Sequence, residues 1–273
     1  MSKGFKARRS ALFVPAANAR ALEKARGLDC DVVILDLEDA VAPEEKAAAR
    51  DRAMEVARDY APRETVIRVN ALGTPWHAAD VAAAVRAGVD AILLPKLREA
   101  GEVRAVHVTA DGTPLWAMIE TPRALFNVLA IADAGTECLV LGSNDLLHAM
   151  EGRHRDDRAN LATAMSLCVL AARAASIGVL DGVHNDLDAA KEFKNACAMA
   201  RDFGFDGKSV IHPTQIAAAN TIFSPTAEEI SYARRVQDAF AAEPGKGVIT
   251  LDRRMLEALD ADIAARTLAR AGL

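Results

Sequence analysis

Eight short apolar runs recur between Ser10 and Ile211, and helix-forming segments rich in Ala, Arg, Glu and Leu separate them. Most runs are continuously apolar rather than alternating, which is typical of parallel strands that are covered on both faces. The pattern therefore predicts a parallel α/β fold. The predicted strands are residues 10–14, 32–37, 65–69, 91–94, 115–119, 138–141, 179–183 and 208–211.

Several of the intervening segments begin with proline or an acidic first turn, and several end in glycine, as helices do. Eight strand–helix units in a chain of 273 residues, without a Gly/Ser linker, favour a (β/α)8 TIM barrel. A doubly wound open sheet is the alternative. The predicted helices are residues 17–26, 43–58, 77–87, 122–132, 158–176 and 188–203.

A C-terminal extension follows the barrel units. We predict a barrel catalytic domain over residues 1–224 and a helical extension, a lid or partner contact, over residues 225–273. Its helices are expected at residues 227–242 and 255–270, with a Gly- and Pro-containing hinge between them.

Composition excludes several functions. A formal net charge of -5 argues against a nucleic-acid-binding surface, and no run of about 18 apolar residues predicts a membrane span. The four cysteines form no C-x-x-C pair, which predicts free, buried thiols and a reducing compartment. We therefore expect a cytoplasmic protein that binds neither nucleic acid nor membrane.

Glu120 and Asp145 each follow a predicted strand directly. The carboxyl ends of barrel strands carry the chemistry of this architecture, so the two acids are candidates for holding one divalent cation. The alternative is local: Glu120 caps the helix that starts at Pro122, and Asp145 ends a Gly-Ser-Asn-Asp turn.

Two basic residues also fall at strand ends. Arg68 either captures a substrate carboxylate or forms a structural ion pair with Asp36, Glu38 or Asp39. Lys96 stands where a Schiff-base lysine could act, but surrounding carboxylates would keep it protonated. We therefore interpret Lys96 as an electrostatic, carboxylate-pairing residue.

His184 and His212 also follow strands, and both a catalytic role and a hydrogen-bonded structural role are open. The sequence contains no H-x-x-x-H pair. With oxygen ligands dominating the strand ends, Mg²⁺ is favoured over Zn²⁺.

Six motifs in this order resemble the aldolase/citrate lyase family of CoA-ester lyases, and citrate lyase beta subunits within it. The resemblance extends from Arg9 to about Phe240. The motifs are residues 9–15, 35–41, 68–70, 94–96, 118–122, and 204–208 followed by 211–213.

The resemblance implies a homotrimer or larger homo-oligomer, with Mg²⁺ held by Glu120 and Asp145. It implies that Arg68 grips the carboxylate of a keto acid, while Glu38 and Asp39 orient the groups around the metal. The implied reaction is retro-Claisen cleavage of citramalyl-, malyl- or citryl-CoA to acetyl-CoA and a 2-oxo acid. A thioesterase acting on the same substrates and a non-catalytic subunit that binds CoA or a keto acid are the alternatives.

Two positions depart from the family pattern. Where much of the family has Met-Ile/Val-Asp-x-Pro, supplying an acid to a neighbouring subunit, this chain has Met-Leu-Glu-Ala-Leu. Glu257 is therefore predicted to replace that general acid/base, the alternative being a solvated helix position. Asn144 also differs from the Gly-Ala-Glu-Asp of some members, which alters the surroundings of Asp145.

Overall fold

The computed structural model describes residues 6–273, and its parallel strands close into an eight-stranded barrel in sequence order. Pairing of Ser10 with Lys208 closes the ring. The predicted (β/α)8 barrel is confirmed, and the doubly wound alternative is wrong. The strands are β1 (Ser10–Pro15), β2 (Val32–Asp36), β3 (Glu64–Arg68), β4 (Ala91–Leu94), β5 (Leu115–Ile119), β6 (Thr136–Leu141), β7 (Gly178–Asp181) and β8 (Gly207–Val210).

Helices follow the strands. Gly88 and Gly204 end two of them in the left-handed conformation, which glycine adopts without steric cost. The helix predicted over 122–132 is split at Asn127 into two short helices. The helices are α1 (Ala19–Ala25), α2 (Lys46–Val56), α3 (His77–Ala87), α4 (Ala100–His107), α5 (Pro122–Phe126), α6 (Val128–Ala132), α7 (Ser143–Ala149), α8 (Ala162–Ala174), α9 (Ala190–Phe203) and α10 (Pro213–Phe223), with 3₁₀ turns at Pro43–Glu45 and Ala159–Leu161.

Side chains from alternate strand positions fill the barrel interior, with Phe13 packed against them. This packed interior holds the strands rigidly, so groups at the strand ends are fixed in position. All four cysteines are free and buried, as predicted. The interior cluster is Ala11, Val32, Ile34, Val66, Ala91, Leu93, Trp116, Met118, Cys138, Val140 and Leu180.

The chain divides into two compact units. One is Arg8–Thr221, and the other is Ile222–Leu273 with the described residues before Arg8. The second unit contains α11 (Ala227–Ala242), a hairpin of β9 (Val248–Leu251) and β10 (Arg254–Glu257), and α12 (Ala258–Arg270). The hairpin was not predicted. Among the helices of residues 6–273, none is long and apolar enough to cross a membrane.

Candidate active site

Charged side chains from five neighbouring strands meet at the carboxyl end of the barrel. They include every site residue predicted in the barrel, and Asp36, the expected ion-pair partner of Arg68. We refer to these seven residues as the rim cluster: Asp36, Glu38, Asp39, Arg68, Lys96, Glu120 and Asp145.

The guanidinium of Arg68 is almost completely buried and is held on one side by Asp36. Their positions are register partners on β2 and β3, and Arg68 donates from Nε and Nη2 to the two oxygens of Asp36, both at 2.7 Å. The ring of Phe13 lies 4.9 Å from the guanidinium carbon. The predicted ion pair is therefore present, and Nη1 faces two further acids, at 3.1 Å from Glu38 Oε2 and 3.6 Å from Asp39 Oδ2.

Asp36 and Lys46 also fix the loop that carries Glu38 and Asp39. Asp36 accepts a hydrogen bond from the backbone N–H of Glu38 at 2.9 Å. The buried ammonium of Lys46 donates to the backbone carbonyls of Leu37 and Glu38, both at 2.9 Å. The loop is thus held from both sides.

Lys96 is the central cation of the rim cluster. Its Nζ lies 2.7 Å from Asp145 Oδ1, 3.4 Å from Asp39 Oδ2 and 3.9 Å from Glu120 Oε2. Burial alone would lower the pKa of Lys96, but Glu120 and the other acids raise it. A lysine that remains protonated is a poor nucleophile, which supports the electrostatic interpretation over the Schiff base.

The backbone at Lys96 is unusual, because its φ of 54° lies in the left-handed region although the residue is not glycine. This conformation points the Lys96 N–H at Glu120 Oε1, with a hydrogen bond of 2.6 Å. Such strain is typical of sites where position matters more than stability.

Glu120 is 1% exposed, and its Oε2 has no hydrogen-bond partner among the described residues. Burial raises its pKa to about 7 despite the nearby Lys96. A Cβ at Gly142 would clash with Glu120 Cβ and lie 2.7 Å from Oε2, so only glycine fits beside this carboxylate. Thr121, not Glu120, caps the following helix, and the capping interpretation of Glu120 is wrong.

Asp145 lies in the first turn of α7 rather than in a turn, since the helix starts immediately after Gly142. The alternative interpretation, in which Asp145 ends a Gly-Ser-Asn-Asp turn, is therefore wrong. Ser, Asn and Asp are as common at helix starts as in turns, which explains the error. The carboxylate is half-buried and bound to Lys96.

Acids outnumber cations in the rim cluster, with five carboxyl groups around Arg68 and Lys96. Burial raises the pKa of Glu38 to about 8 despite Arg68. Glu38 Oε2 lies 3.1 Å from Arg68 Nη1 but makes no hydrogen bond among the described residues. The cluster has more negative charge than its own cations neutralise.

Glu120 and Asp145 fit a hard divalent cation. The Lys96 ammonium lies between them and shows that the position attracts a cation, while Glu120 Oε2 has no hydrogen-bond partner among the described residues. No group of three or more His, Cys, Asp or Glu within residues 6–273 forms a metal site. Two carboxylates are sufficient for Mg²⁺, which keeps several waters or substrate oxygens as ligands.

A cavity of about 340 Å³ opens beside these residues. Arg68 and Asp145 contribute charged groups to its wall, Phe13 and Ile211 apolar ones, and Asn185 an amide. The volume matches a small ligand site with a few oriented polar groups.

Comparison with known proteins identifies the family of this chain. The family model for HpcH/HpaI aldolase/citrate lyase matches residues 9–213. The chain belongs to the HpcH/HpaI aldolase/citrate lyase family. The predicted resemblance to this family of carbon–carbon lyases acting on CoA esters is confirmed.

Relatives within the family have different names. A (3S)-malyl-CoA thioesterase of Cereibacter sphaeroides is 43% identical over 269 residues, covering 96% of this chain and 94% of that protein. The citrate lyase subunit beta of Escherichia coli is 34% identical over 283 residues, covering 97% and 94%.

A solved structure agrees with the fold over the whole chain. CitE from Mycobacterium tuberculosis, in complex with magnesium, acetoacetate and coenzyme A, has a TM-score of 0.79 and 31% identity. The match covers 97% of this chain and 98% of that one. The structure of that relative thus contains both a magnesium ion and coenzyme A.

Glu257, the departure from the family pattern, belongs to the second compact unit. It is exposed, it ends β10, and it is the N-cap residue of α12. Its backbone N–H donates to Asp260 Oδ2 at 2.7 Å. The helix predicted from Met255 therefore begins three residues later, because 255–257 pair with β9.

The two strand-end histidines lie outside the lining of the cavity. The ring of His184 packs edge-on against Phe193 at 5.9 Å, and burial lowers its pKa. His212 Nδ1 lies 2.8 Å from the hydroxyl of Thr214. These contacts favour the structural interpretation of both histidines over the catalytic one.

Sequence reasoning missed Phe13, Lys46 and Gly142. In a continuously apolar strand no sequence feature shows which side chain contacts a guanidinium, so Phe13 could not be identified. Lys46 has the sequence context of an ordinary helix lysine. Gly142 had a usable signal: a glycine between a strand and a helix often marks a close backbone approach.

Proposed function

We propose that this chain is a Mg²⁺-dependent enzyme that cleaves a short 3-hydroxyacyl-CoA, of the malyl-, citramalyl- or citryl-CoA type, into acetyl-CoA and a 2-oxo acid. The observation that carries the proposal is the rim cluster: two hard-ligand carboxylates beside a buried, fixed guanidinium, in a cavity of about 340 Å³. A relative with magnesium, acetoacetate and coenzyme A in one structure supports the same assignment.

Each residue has a definite task in this proposal. Arg68, fixed through Nε and Nη2 by Asp36, offers Nη1 to the substrate carboxylate. Glu120 and Asp145 hold Mg²⁺, which when bound supplies Lewis acidity to the substrate oxygens. Lys96 moderates the charge of the acids, and Glu38 and Asp39 orient Arg68 and Lys96.

The bond changes balance without an oxidant or reductant. A base takes the proton of the substrate hydroxyl, and the carbon atom that carries this hydroxyl becomes the carbonyl carbon of the 2-oxo acid. The electron pair of the broken C–C bond passes to the thioester as an enolate, and a proton returned to carbon gives acetyl-CoA. We assign the proton transfer to Glu257 of a neighbouring copy, in a homotrimer or larger homo-oligomer.

Thioester hydrolysis is the second candidate, because the malyl-CoA thioesterase shares 43% identity with this chain and the citrate lyase subunit 34%. In that case water adds to the thioester carbon, the C–S bond breaks, and the products are free CoA and the intact hydroxy acid. The same rim cluster would bind the substrate.

Product identification tests both candidates. Purified protein with Mg²⁺ is incubated with malyl-, citramalyl- and citryl-CoA in turn, and CoA species and acids are quantified by mass spectrometry. Acetyl-CoA with an equal amount of 2-oxo acid supports cleavage, whereas free CoA with hydroxy acid supports hydrolysis. Chelator-treated protein and Glu120→Gln are the controls, and release of neither product pair from any substrate overturns the proposal.

A further inference from the structure

Two asparagines make a reciprocal amide pair at the rim of the cavity. Asn144 Nδ2 donates to Asn185 Oδ1 at 3.1 Å, and Asn185 Nδ2 donates to Asn144 Oδ1 at 2.9 Å. Both residues line the cavity, one beside the metal ligand Asp145 and the other in the loop after β7. We refer to them as the amide pair.

The two side chains of the amide pair donate to each other, and each keeps an N–H group that is not used in the pair. Each carboxamide has two N–H groups and uses one within the pair. Among residues 6–273 neither side chain has a further hydrogen-bond partner. One N–H of each asparagine is therefore free for a ligand.

Strand order places Asn185 of the amide pair opposite Arg68. In the closed ring β1 to β8, β7 stands four strands from β3 in both directions, so Asn185 follows the strand across the barrel from that of Arg68. The side chains of the rim cluster, contributed after β2 to β6, are ionic, whereas the amide pair is neutral. Arg68 is thus the cationic group of the cavity lining, and Asn185 supplies a neutral donor across the barrel from it.

A hydroxyacyl-CoA has the same polarity, with a carboxylate at one end and a neutral thioester carbonyl at the other. Resting on the proposed function, we infer that the amide pair binds the thioester carbonyl oxygen. That oxygen becomes more negative in C–C cleavage, as an enolate, and in hydrolysis, as a tetrahedral oxyanion. Amide donors aimed at such an oxygen stabilise both.

The test compares acetyl-CoA with S-ethyl-CoA, a thioether that lacks only the carbonyl oxygen. Binding of each to the full-length protein with Mg²⁺ is measured by calorimetry. We expect wild type to bind acetyl-CoA about tenfold more tightly, the effect of one or two net hydrogen bonds. Asn185→Ala, Asn144→Ala and the double variant should each reduce this ratio to about one, because the pair acts as a unit.

The control variant is Asn127→Ala, whose side chain donates to the backbone carbonyl of Arg98 outside the cavity. It should keep the tenfold ratio. A pair that merely tied two loops together would change the affinity for both ligands equally. A ratio that survives in the double variant, or is already one in wild type, overturns the inference.

Two further titrations separate this inference from the proposed function. Mg²⁺ and a 2-oxo acid should bind the amide-pair variants within about twofold of wild type, since neither carries a thioester. Weaker 2-oxo-acid binding would assign the amides to the carboxylate end and overturn the inference. If the wild-type protein showed no turnover but still bound acetyl-CoA more tightly than S-ethyl-CoA, the proposed function would be refuted. The assignment of the amide pair to the thioester carbonyl would stand.

Discussion

The barrel contains two buried ionic clusters that differ in how completely they are neutralised. Between β7 and β8, Asp181 accepts two hydrogen bonds from Arg158, at 2.8 and 2.6 Å, and one from Lys208 at 2.6 Å. We refer to these three residues as the β7–β8 cluster. Burial alone would raise the pKa of Asp181, yet Lys208 and Arg158 hold it below its usual value.

The rim cluster shows the opposite balance. Its acids outnumber its cations, Glu38 and Glu120 each have an oxygen without a hydrogen-bond partner among the described residues, and burial raises the pKa of both. A cluster that serves only the fold satisfies its groups internally, as Asp181 does. A cluster with too few cations for its acids can bind a metal ion that supplies the missing positive charge.

Removing a carboxylate from the rim cluster should have the largest effect on function. We expect Glu120→Gln to weaken Mg²⁺ binding at least about 100-fold and to lower turnover about 1,000-fold, because a metal ligand and its charge are lost. The free energy of unfolding without metal should not fall, since a poorly paired buried acid is removed.

Calorimetric Mg²⁺ titration and denaturant unfolding measure these two quantities. Glu55→Gln, an exposed acid on α2, is the matched control and should change neither. A Glu120→Gln variant with wild-type Mg²⁺ affinity would show that the unpartnered oxygen is not a ligand.

The same substitution in the β7–β8 cluster should affect the fold instead. Asp181→Asn leaves Arg158 and Lys208 buried without their counterion, which should lower the free energy of unfolding by about 3–5 kcal/mol. Mg²⁺ affinity should stay within about twofold of wild type, because Asp181 forms its ion pairs with Arg158 and Lys208 and not with the rim cluster.

Urea denaturation provides the measurement, and the exposed Arg235–Asp252 pair provides the control. Arg235→Ala should cost no more than about 1 kcal/mol, since exposed pairs contribute little. If Asp181→Asn abolished Mg²⁺ binding without loss of stability, the assignment of the two clusters would be reversed.

Much of this contrast could be predicted from the sequence, because strand ends in a barrel share one rim. Once eight apolar runs were assigned, Arg68, Glu120 and Asp145 were expected on the same rim. The sequence offered three acids as ion-pair partners of Arg68 but could not choose among them, since the Asp36–Arg68 bond depends on strand register. The amide pair likewise joins residues 41 positions apart.

The second unit shows why the remaining structure was harder to predict. Its hairpin turns through Asp252 and Arg253, whose φ angles of 50° and 65° are left-handed. Hairpin turns with this backbone conformation usually contain Asn-Gly or Asp-Gly, and neither dipeptide occurs at this turn. The strand residues after the turn therefore looked like the beginning of a helix.

The pH dependence of stability should separate the clusters further. Between pH 4.5 and 7, folded Glu120 keeps a proton that the unfolded chain releases, so its contribution to stability falls as pH rises through this window. Without metal, we expect the difference in unfolding free energy between wild type and Glu120→Gln to change by about 2 kcal/mol or slightly more from pH 5 to 8.

Urea unfolding at four pH values in chelator measures that difference. Saturating Mg²⁺ should reduce the pH dependence, because the ion takes the place of the proton on Glu120. A pH-independent difference would mean that Glu120 ionises normally and that the rim cluster is already neutralised.

Glu257 connects the contrast to catalysis, because the proposed proton transfer is assigned to it and not to an acid of the rim cluster. Each acid of that cluster already forms an ion pair with Arg68 or Lys96. We expect Glu257→Gln to lower turnover about 100-fold, as loss of a general acid does, and to change stability by less than about 0.5 kcal/mol, since glutamine can still serve at the N-cap.

Mixing two inactive variants tests whether that acid crosses between copies. In oligomers reassembled from equal amounts of Glu120→Gln and Glu257→Gln chains, about a quarter of sites would combine an intact Glu120 with an intact neighbouring Glu257. Activity should then recover to roughly that fraction of wild type. If Glu257 acts only within its own chain, or only caps α12, the mixture would be no more active than its components, because no site would gain what it lacks.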